Sequence, residues 1–135
     1  DRKALIEGIK EGTIDAVSSG HSPKDIETKF CEFDNADFGG ISLEASFGAL
    51  NKVTEGILNE EQIINLLSSK PAEIIGLENK IDVNESANIT IFTQSVNSTF
   101  EKNQIECVSK NSPFIGSELK GKVVGVINNN QIKLN

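Results

Sequence analysis

Apolar residues recur at helical spacing through most of the first half of the chain and in short strand-like runs through the second. Leu5, Ile6 and Ile9 share one face of a segment from Asp1 to Glu11, and Gly12 follows where helices commonly stop. The pattern predicts a helix there. Ile14 to Ser18 reads as a short strand, and Ser19 to Gly40 is polar and carries Pro23, Gly39 and Gly40, which predicts a long loop. Helix, strand and long loop is the order of an α/β unit, and such folds place function on their long loops. Leu43, Phe47, Leu50 and Val53 mark a second helix ending near Gly56. Asn59 followed by Gln62 is a capping-box signature for a third, whose apolar positions are Ile63, Ile64, Leu66 and Leu67. Pro71 and Gly76 frame one further short helix.

Beyond Gly76 the period changes. Ile81 to Val83, Ile89 to Phe92, Lys122 to Ile127 and Gln131 to Leu134 are short β-type runs. Asn128-Asn129-Asn130 suits a tight hairpin, because asparagine tolerates positive φ. Between Thr93 and Leu119 the sequence is polar and irregular and predicts no particular strand. The expected organisation is an α/β portion over residues 1–78 and a small β portion over residues 79–135. A single strand flanked by helices cannot build a parallel sheet without neighbours, so the chain is expected to be the end of a longer protein.

With 135 residues, 37% of them hydrophobic, the chain can bury one modest core or contribute to a larger one. Acidic residues outnumber basic ones, 20 to 13, and the net charge of −7 is spread along the chain. That argues against nucleic acid and anionic membranes as partners. No apolar run approaches the roughly 20 residues needed to span a bilayer, and the first residues lack the apolar stretch of a signal peptide, so a cytoplasmic location is expected. Cys31 and Cys107 stand far apart and read as free thiols.

The only histidine, His21, lies in Ser18-Ser19-Gly20-His21-Ser22-Pro23-Lys24, directly after the expected strand. A lone loop histidine is commonly a polar surface residue. Here its surroundings resemble those of the dihydroorotases, members of the amidohydrolase superfamily, in which this strand ends in Asp-His-Ala-Pro-His with a lysine five residues further on. The chain offers Gly20-His21-Ser22-Pro23-Lys24, and Lys29 follows Lys24 at that interval. The resemblance extends along the chain. Phe38-Gly39-Gly40-Ile41-Ser42-Leu43-Glu44 is similar to Phe-Gly-Ile-x-Gly-Leu-Glu. Leu66 to Leu77 resembles Leu-Leu-Ser-x-Asn-Pro-Ala-x-Ile-x-Gly-Leu, with Lys70 in place of the asparagine. Ala87 to Phe92 resembles Ala-Asp-Leu-x-x-Phe, and Asn111-Ser112-Pro113-Phe114 with Leu119 to Val123 resembles Asn-x-Pro-Phe and Leu-x-Gly-x-Val.

The resemblance implies a fold and a fate for the chemistry. The first helix and strand would be the seventh helix and eighth strand of a TIM-type (β/α)8 barrel, the loop would lie on its catalytic face, and the remainder would form part of a small β-sandwich. The aspartate of the family motif binds metal and shuttles a proton in opening or closing the dihydroorotate ring. Gly20 stands at that position and can do neither. Lys24 stands where a histidine holds the substrate carboxylate, and Phe38 and Gly39 fall in a loop that also contacts substrate. Those three residues are the expected remnant of a substrate site, while His21, Pro23 and Lys29 mark the motif. Asp25 is the one loop carboxylate near enough to stand in for Gly20. Active relatives use zinc, but the rest of their metal site lies upstream, so no metal site and no cofactor are expected in this chain. Two functions follow from the resemblance: a cyclic amidohydrolase of pyrimidine biosynthesis, acting on dihydroorotate or carbamoyl-aspartate and degraded at Gly20, or a non-catalytic structural partner of aspartate transcarbamoylase. Self-association and contact with the remainder of the same polypeptide are the other expected partnerships.

Overall fold

A computed structural model describes residues 1–78 and 80–135, so the expected boundary between the two portions falls at Asn79, outside the described residues. The first helix, α1 (Arg2–Lys10), forms as its periodicity predicts and ends where Gly12 adopts φ +74°. Thr13 N–H returns to the Gly8 carbonyl at 2.8 Å and satisfies an end of the helix that would otherwise face water. No residue of α1 is buried. Of the apolar face that the sequence provides, Leu5 is 59% exposed and Ile6 and Ile9 are half-buried.

Ile14 to Ser18 corrects one expectation, since this segment joins no sheet. A strand exists only by pairing with a neighbour, and no described strand lies beside it. Val17 N–H donates instead to the Leu66 carbonyl, at 3.1 Å. The loop that follows contains a single short helix, α2 (Ile26–Lys29), and one 3-10 turn, Phe33–Asn35.

Helix α3 (Leu43–Val53) is the central element. Next come α4 (Glu60–Ile64) and α5 (Lys70–Ile74), joined by a π-helical turn over Asn65–Ser69. Asn59 and Gln62 form the capping box read from the sequence, each bond at 2.9 Å. The π turn has a physical cause in Pro71, which lacks an N–H and whose ring crowds the carbonyl four residues back, so the preceding turn widens. Gly76, with φ +71°, closes α5, as Leu77 N–H reaches the Ala72 carbonyl at 2.9 Å.

The second half holds a three-stranded antiparallel sheet, in the order β1 (Asn88–Thr99), β2 (Glu118–Asn128), β3 (Gln131–Leu134). Asn129 and Asn130 both have positive φ, 48° and 60°, the signature of the two-residue turn whose twist matches its strands. Strand β1 is much longer than the expected Ile89–Phe92 because the ladder resumes after an irregularity between Thr93 and Asn97. Gly121, at φ +88°, sits across from it, where a Cβ would lie 2.8 Å from the Thr93 carbonyl oxygen. Ile81 to Val83 is not a strand: the chain turns there, with Asn84 at φ 71°, and both apolar side chains are exposed.

The core forms where α3 crosses β2. Ile41, Ala45, Phe100, Ile105 and Leu119 make one buried cluster, and each large side chain hidden in it is worth about 1.5–3 kcal/mol. Gly48 lets the helix approach, for a Cβ there would lie 2.9 Å from Leu119 Cβ. Phe47 and Phe92 pack edge to face, centroids 5.0 Å apart. The α/β class is as expected. Among the described residues no helix is long and apolar enough to cross a membrane.

Candidate functional site

The candidate site is the loop from Ser19 to Gly40, which the start of α3 and the segment around Asn111 hold in place. Gly20 adopts φ +61° on the exposed surface, and a Cβ there would meet no atom within 4 Å. The position therefore has room for a side chain and has none. His21 is half-buried. Its Nδ1 accepts the N–H groups of Ser42, at 3.2 Å, and Leu43, at 3.1 Å. The imidazole thus caps α3, a service that Ser42, the N-cap residue, does not perform with its own side chain. Accepting two N–H groups leaves Nδ1 without a proton, so the neutral ring carries it on Nε2.

The two ends of the loop lie against each other. Ser22 N–H donates to the Gly40 carbonyl at 3.0 Å. Gly39 has φ +124°, and a Cβ there would lie 2.6 Å from the Ser22 carbonyl oxygen, so a glycine is required both for conformation and for space. Ile41 N–H donates to the Asn111 carbonyl at 2.8 Å, and the Ser112 hydroxyl donates to the Ile41 carbonyl at 2.6 Å. The Ser109 hydroxyl lies 2.5 Å from both the Lys24 carbonyl oxygen and Asn111 Oδ1. The motif around Asn111 thus buttresses the loop from behind.

Charge gathers on one residue that the sequence did not single out. Asp37 Oδ2 lies 3.4 Å from Lys24 Nζ, Lys29 Nζ donates to the Asp37 carbonyl, and Asp37 N–H donates to the Thr28 carbonyl at 3.1 Å. Of the expected residues, His21, Lys24, Lys29 and Gly39 take part in this folded loop. Pro23 is exposed within it, and Phe38 is 96% exposed. Asp25 begins α2 with its side chain on the surface. Asp37, Ser109 and Asn111 were missed as parts of the site; the only sequence signal for Asp37 was its place beside Phe38-Gly39.

A zinc ion, which the family resemblance implies, does not fit these residues. His21 Nδ1 is engaged by two backbone amides, Gly20 has no donor, and among the described residues no three His, Cys, Asp or Glu side chains come together. An apolar cleft of about 490 Å³ lies elsewhere, between Ile63, Ile64 and Leu67 on one side and Ile89, Phe92 and Val123 on the other, and among the described residues no ionisable side chain lines it.

No family model matches the chain. It is 37% identical over 135 residues to a dihydroorotase of Caldanaerobacter subterraneus subsp. tengcongensis, a match that takes in 98% of this chain and 31% of the relative. The structure is similar to that of a D-hydantoinase from Thermus sp., with a TM-score of 0.83 and 24% identity over 98% of this chain and 31% of that one. It is also similar to the inactive dihydroorotase-like domain of a Chaetomium thermophilum CAD-like multifunctional protein, with a TM-score of 0.67 and 23% identity over 96% of this chain and 34% of that one. At these identities the two structures speak for the fold alone. The chain spans about a third of the length of the relatives that it matches. Sequence identity maintained along 98% of its residues makes the chain a member of the dihydroorotase-like family, corresponding to a carboxy-terminal portion of those longer proteins.

Proposed function

We propose that the chain is the carboxy-terminal part of a dihydroorotase-like cyclic amidohydrolase that no longer turns over dihydroorotate or carbamoyl-aspartate. The observation that carries this reading is Gly20: the backbone on either side is in order and the position is open, yet no carboxylate is present. Ring hydrolysis needs a group there that binds a cation and accepts a proton. Losing the general base alone costs about 10²- to 10⁴-fold, before the missing metal contact is counted. Residues 1–78 would end an amidohydrolase barrel and residues 79–135 would belong to its β-sandwich, in a cytoplasmic protein. Exposed Leu5, on a helix with no fully buried residue, supports a further neighbour on that side. Lys24, beside Gly39 and Phe38, would keep a weak hold on a carboxylate.

The test is the rate of dihydroorotate ring opening by the longer protein that contains this segment. Activity at background is expected even with zinc supplied, and Gly20→Asp is expected to restore some where the upstream ligands are intact. The position has the space for it, and although φ +61° strains any side-chain-bearing residue, it strains aspartate less than most. Strong turnover by the unaltered protein, abolished by Asp25→Ala, would mean that the loop carboxylate has taken over and would sink the reading.

A second reading, a non-catalytic structural partner of aspartate transcarbamoylase, is favoured by the side chains that the loop leaves in solvent. Phe30, Phe33 and Phe38 are 89%, 93% and 96% exposed, more apolar surface than a lone loop ordinarily leaves uncovered. Co-purification with a transcarbamoylase that is lost on replacing these phenylalanines by serine would support it; co-purification that survives would count against it.

A further inference from the structure

Lys24 is the one cation in the loop that the proposed function assigns to a ligand carboxylate, and in the structure it already faces one. We propose that Asp37 is a resident competitor: its carboxylate occupies Lys24 in place of an incoming one and sets the loop's affinity for small carboxylates. This inference rests on the reading of Lys24 as the remnant anion contact, and adds to it the residue that opposes binding.

The placement of Asp37 is built by the fold rather than left to a wandering side chain. Its N–H is fixed to the Thr28 carbonyl at 3.1 Å and its own carbonyl receives Lys29 Nζ, so both ends of its peptide frame are tied to α2. Two residues on, Gly39 and Gly40 press against Ser22, in a contact that only a glycine at position 39 allows. Lys24 is tied through its own carbonyl to Ser109. With both backbones anchored, the carboxylate and the ammonium meet at 3.4 Å. The pair is only partly shielded, with side-chain exposures of 32% for Lys24 and 51% for Asp37. A contact of this kind is modest, which makes it displaceable: a ligand carboxylate that takes Lys24 must first break it. The Lys29 ammonium donates one of its N–H groups to the Asp37 carbonyl, a neutral acceptor, and so does not pair with the Asp37 carboxylate through that bond.

The experiment is a titration of the ¹⁵N-labelled 135-residue chain with carbamoyl-aspartate and with succinate, following the Ser22 and Lys24 amides. Asp37→Asn should bind both probes about two- to five-fold more tightly, the range that an exposed ion pair of roughly 0.4–1 kcal/mol converts to. Asp34→Asn, which removes the same charge from the same loop, should not change the affinity. Adding Lys24→Gln to Asp37→Asn should abolish the gain. If the parent and Asp37→Asn bind alike and both weaken with Lys24→Gln, Lys24 is an anion contact and Asp37 does not compete; the inference falls and the parent reading stands. If no form shows saturable shifts, the anion contact itself is absent and both fall. Equal gains from Asp34→Asn and Asp37→Asn would reduce the effect to net charge and overturn the inference.

Discussion

Along α3 the chain is joined by side chains. Ile41, Ala45 and Leu119 are at most 6% exposed, Gly48 admits β2 to within van der Waals reach, and even the polar residues are enclosed, Asn51 between the Phe47 carbonyl and Gln94 and Thr54 against the Leu50 carbonyl. The loop from Ser19 to Gly40 is joined mainly by backbone. Its path is set by Ser22 N–H on Gly40, Asp37 N–H on Thr28 and Ile41 N–H on Asn111, while most of its side chains face solvent. The difference bears directly on how a site can lose its chemistry. In the α3–β2 seam, changing a side chain removes the contact that holds the fold. In the loop, most side chains can change while the amides that shape it remain, so the residue at position 20 can change with little effect on the surrounding geometry.

Leu119→Ala tests the first half of that contrast most severely. It removes the centre of the buried cluster and should cost about 2–5 kcal/mol in urea unfolding. A loss below about 1 kcal/mol, the level of a surface change, would show that the seam is not the core. Gly48→Ala comes next. Its new Cβ would sit 2.9 Å from Leu119 Cβ, and overpacking should cost about 1–3 kcal/mol. In the Leu119→Ala background the same change should cost somewhat less, since the contact with Leu119 Cδ1 is gone but alanine keeps the Cβ. In a Leu119→Gly background, which removes that Cβ too, it should cost little, and an unchanged cost there would break the assignment of that contact.

The sequence disclosed the elements that stabilise themselves locally. The capping box at Asn59, the glycine stops at Gly12 and Gly76 and the asparagine hairpin all depend on residues within a few positions of each other, and all formed as read. What it hid depends on distant partners. Ile14 to Ser18 and Ile81 to Val83 have strand-like residues but no partner strand, so neither pairs. The stretch from Thr93 to Leu119 lacked periodicity because it enters the core at scattered points, Phe100 and Ile105, and elsewhere buttresses the loop through Ser109, Asn111 and Ser112. In the site, His21 and Gly39 stood out by type and motif. That His21 serves α3 was not legible, since it required knowing that Ser42 and Leu43, twenty-one residues on and more, fold back onto the ring.

Gly39→Ala probes the loop by the backbone that defines it. The substitution needs a strained φ of +124° and puts a Cβ 2.6 Å from the Ser22 carbonyl oxygen, so the Ser22–Gly40 contact should open. Because that contact contributes no side chain to the buried cluster, although Gly40 adjoins Ile41, the urea midpoint should move less than for Gly48→Ala, while hydrogen exchange at Ser22 N–H should accelerate at least ten-fold. A global loss equal to that of Leu119→Ala, with no selective change at Ser22, would erase the distinction between seam and loop.

The smallest effect lies on the rim of the seam, where Glu55 accepts a 2.8 Å bond from Lys120 Nζ and Lys52 Nζ stands 3.6 Å away. The hydrogen bond from Lys120, then the charges of Lys120 and Lys52, hold the Glu55 carboxyl below the usual glutamate range. A carboxyl lowered in the folded state binds its proton more readily when unfolded, so its contribution is fully present above the ordinary glutamate value and is lost as pH falls through the lowered one. Glu55→Gln should therefore be less stable than the parent near neutral pH, with the gap closing on acidification across that window. The pair is solvent-exposed, so the gap should be small and should shrink further in 1 M salt, where screening acts over about 3 Å. Carboxyl ¹³C titration of Glu55 alongside melting curves at several pH values reads both parts of the claim. A gap that widens toward acid would reverse the sign, and a gap indifferent to salt would mean that Glu55 acts through packing, bringing the rim under the same rule as the buried seam.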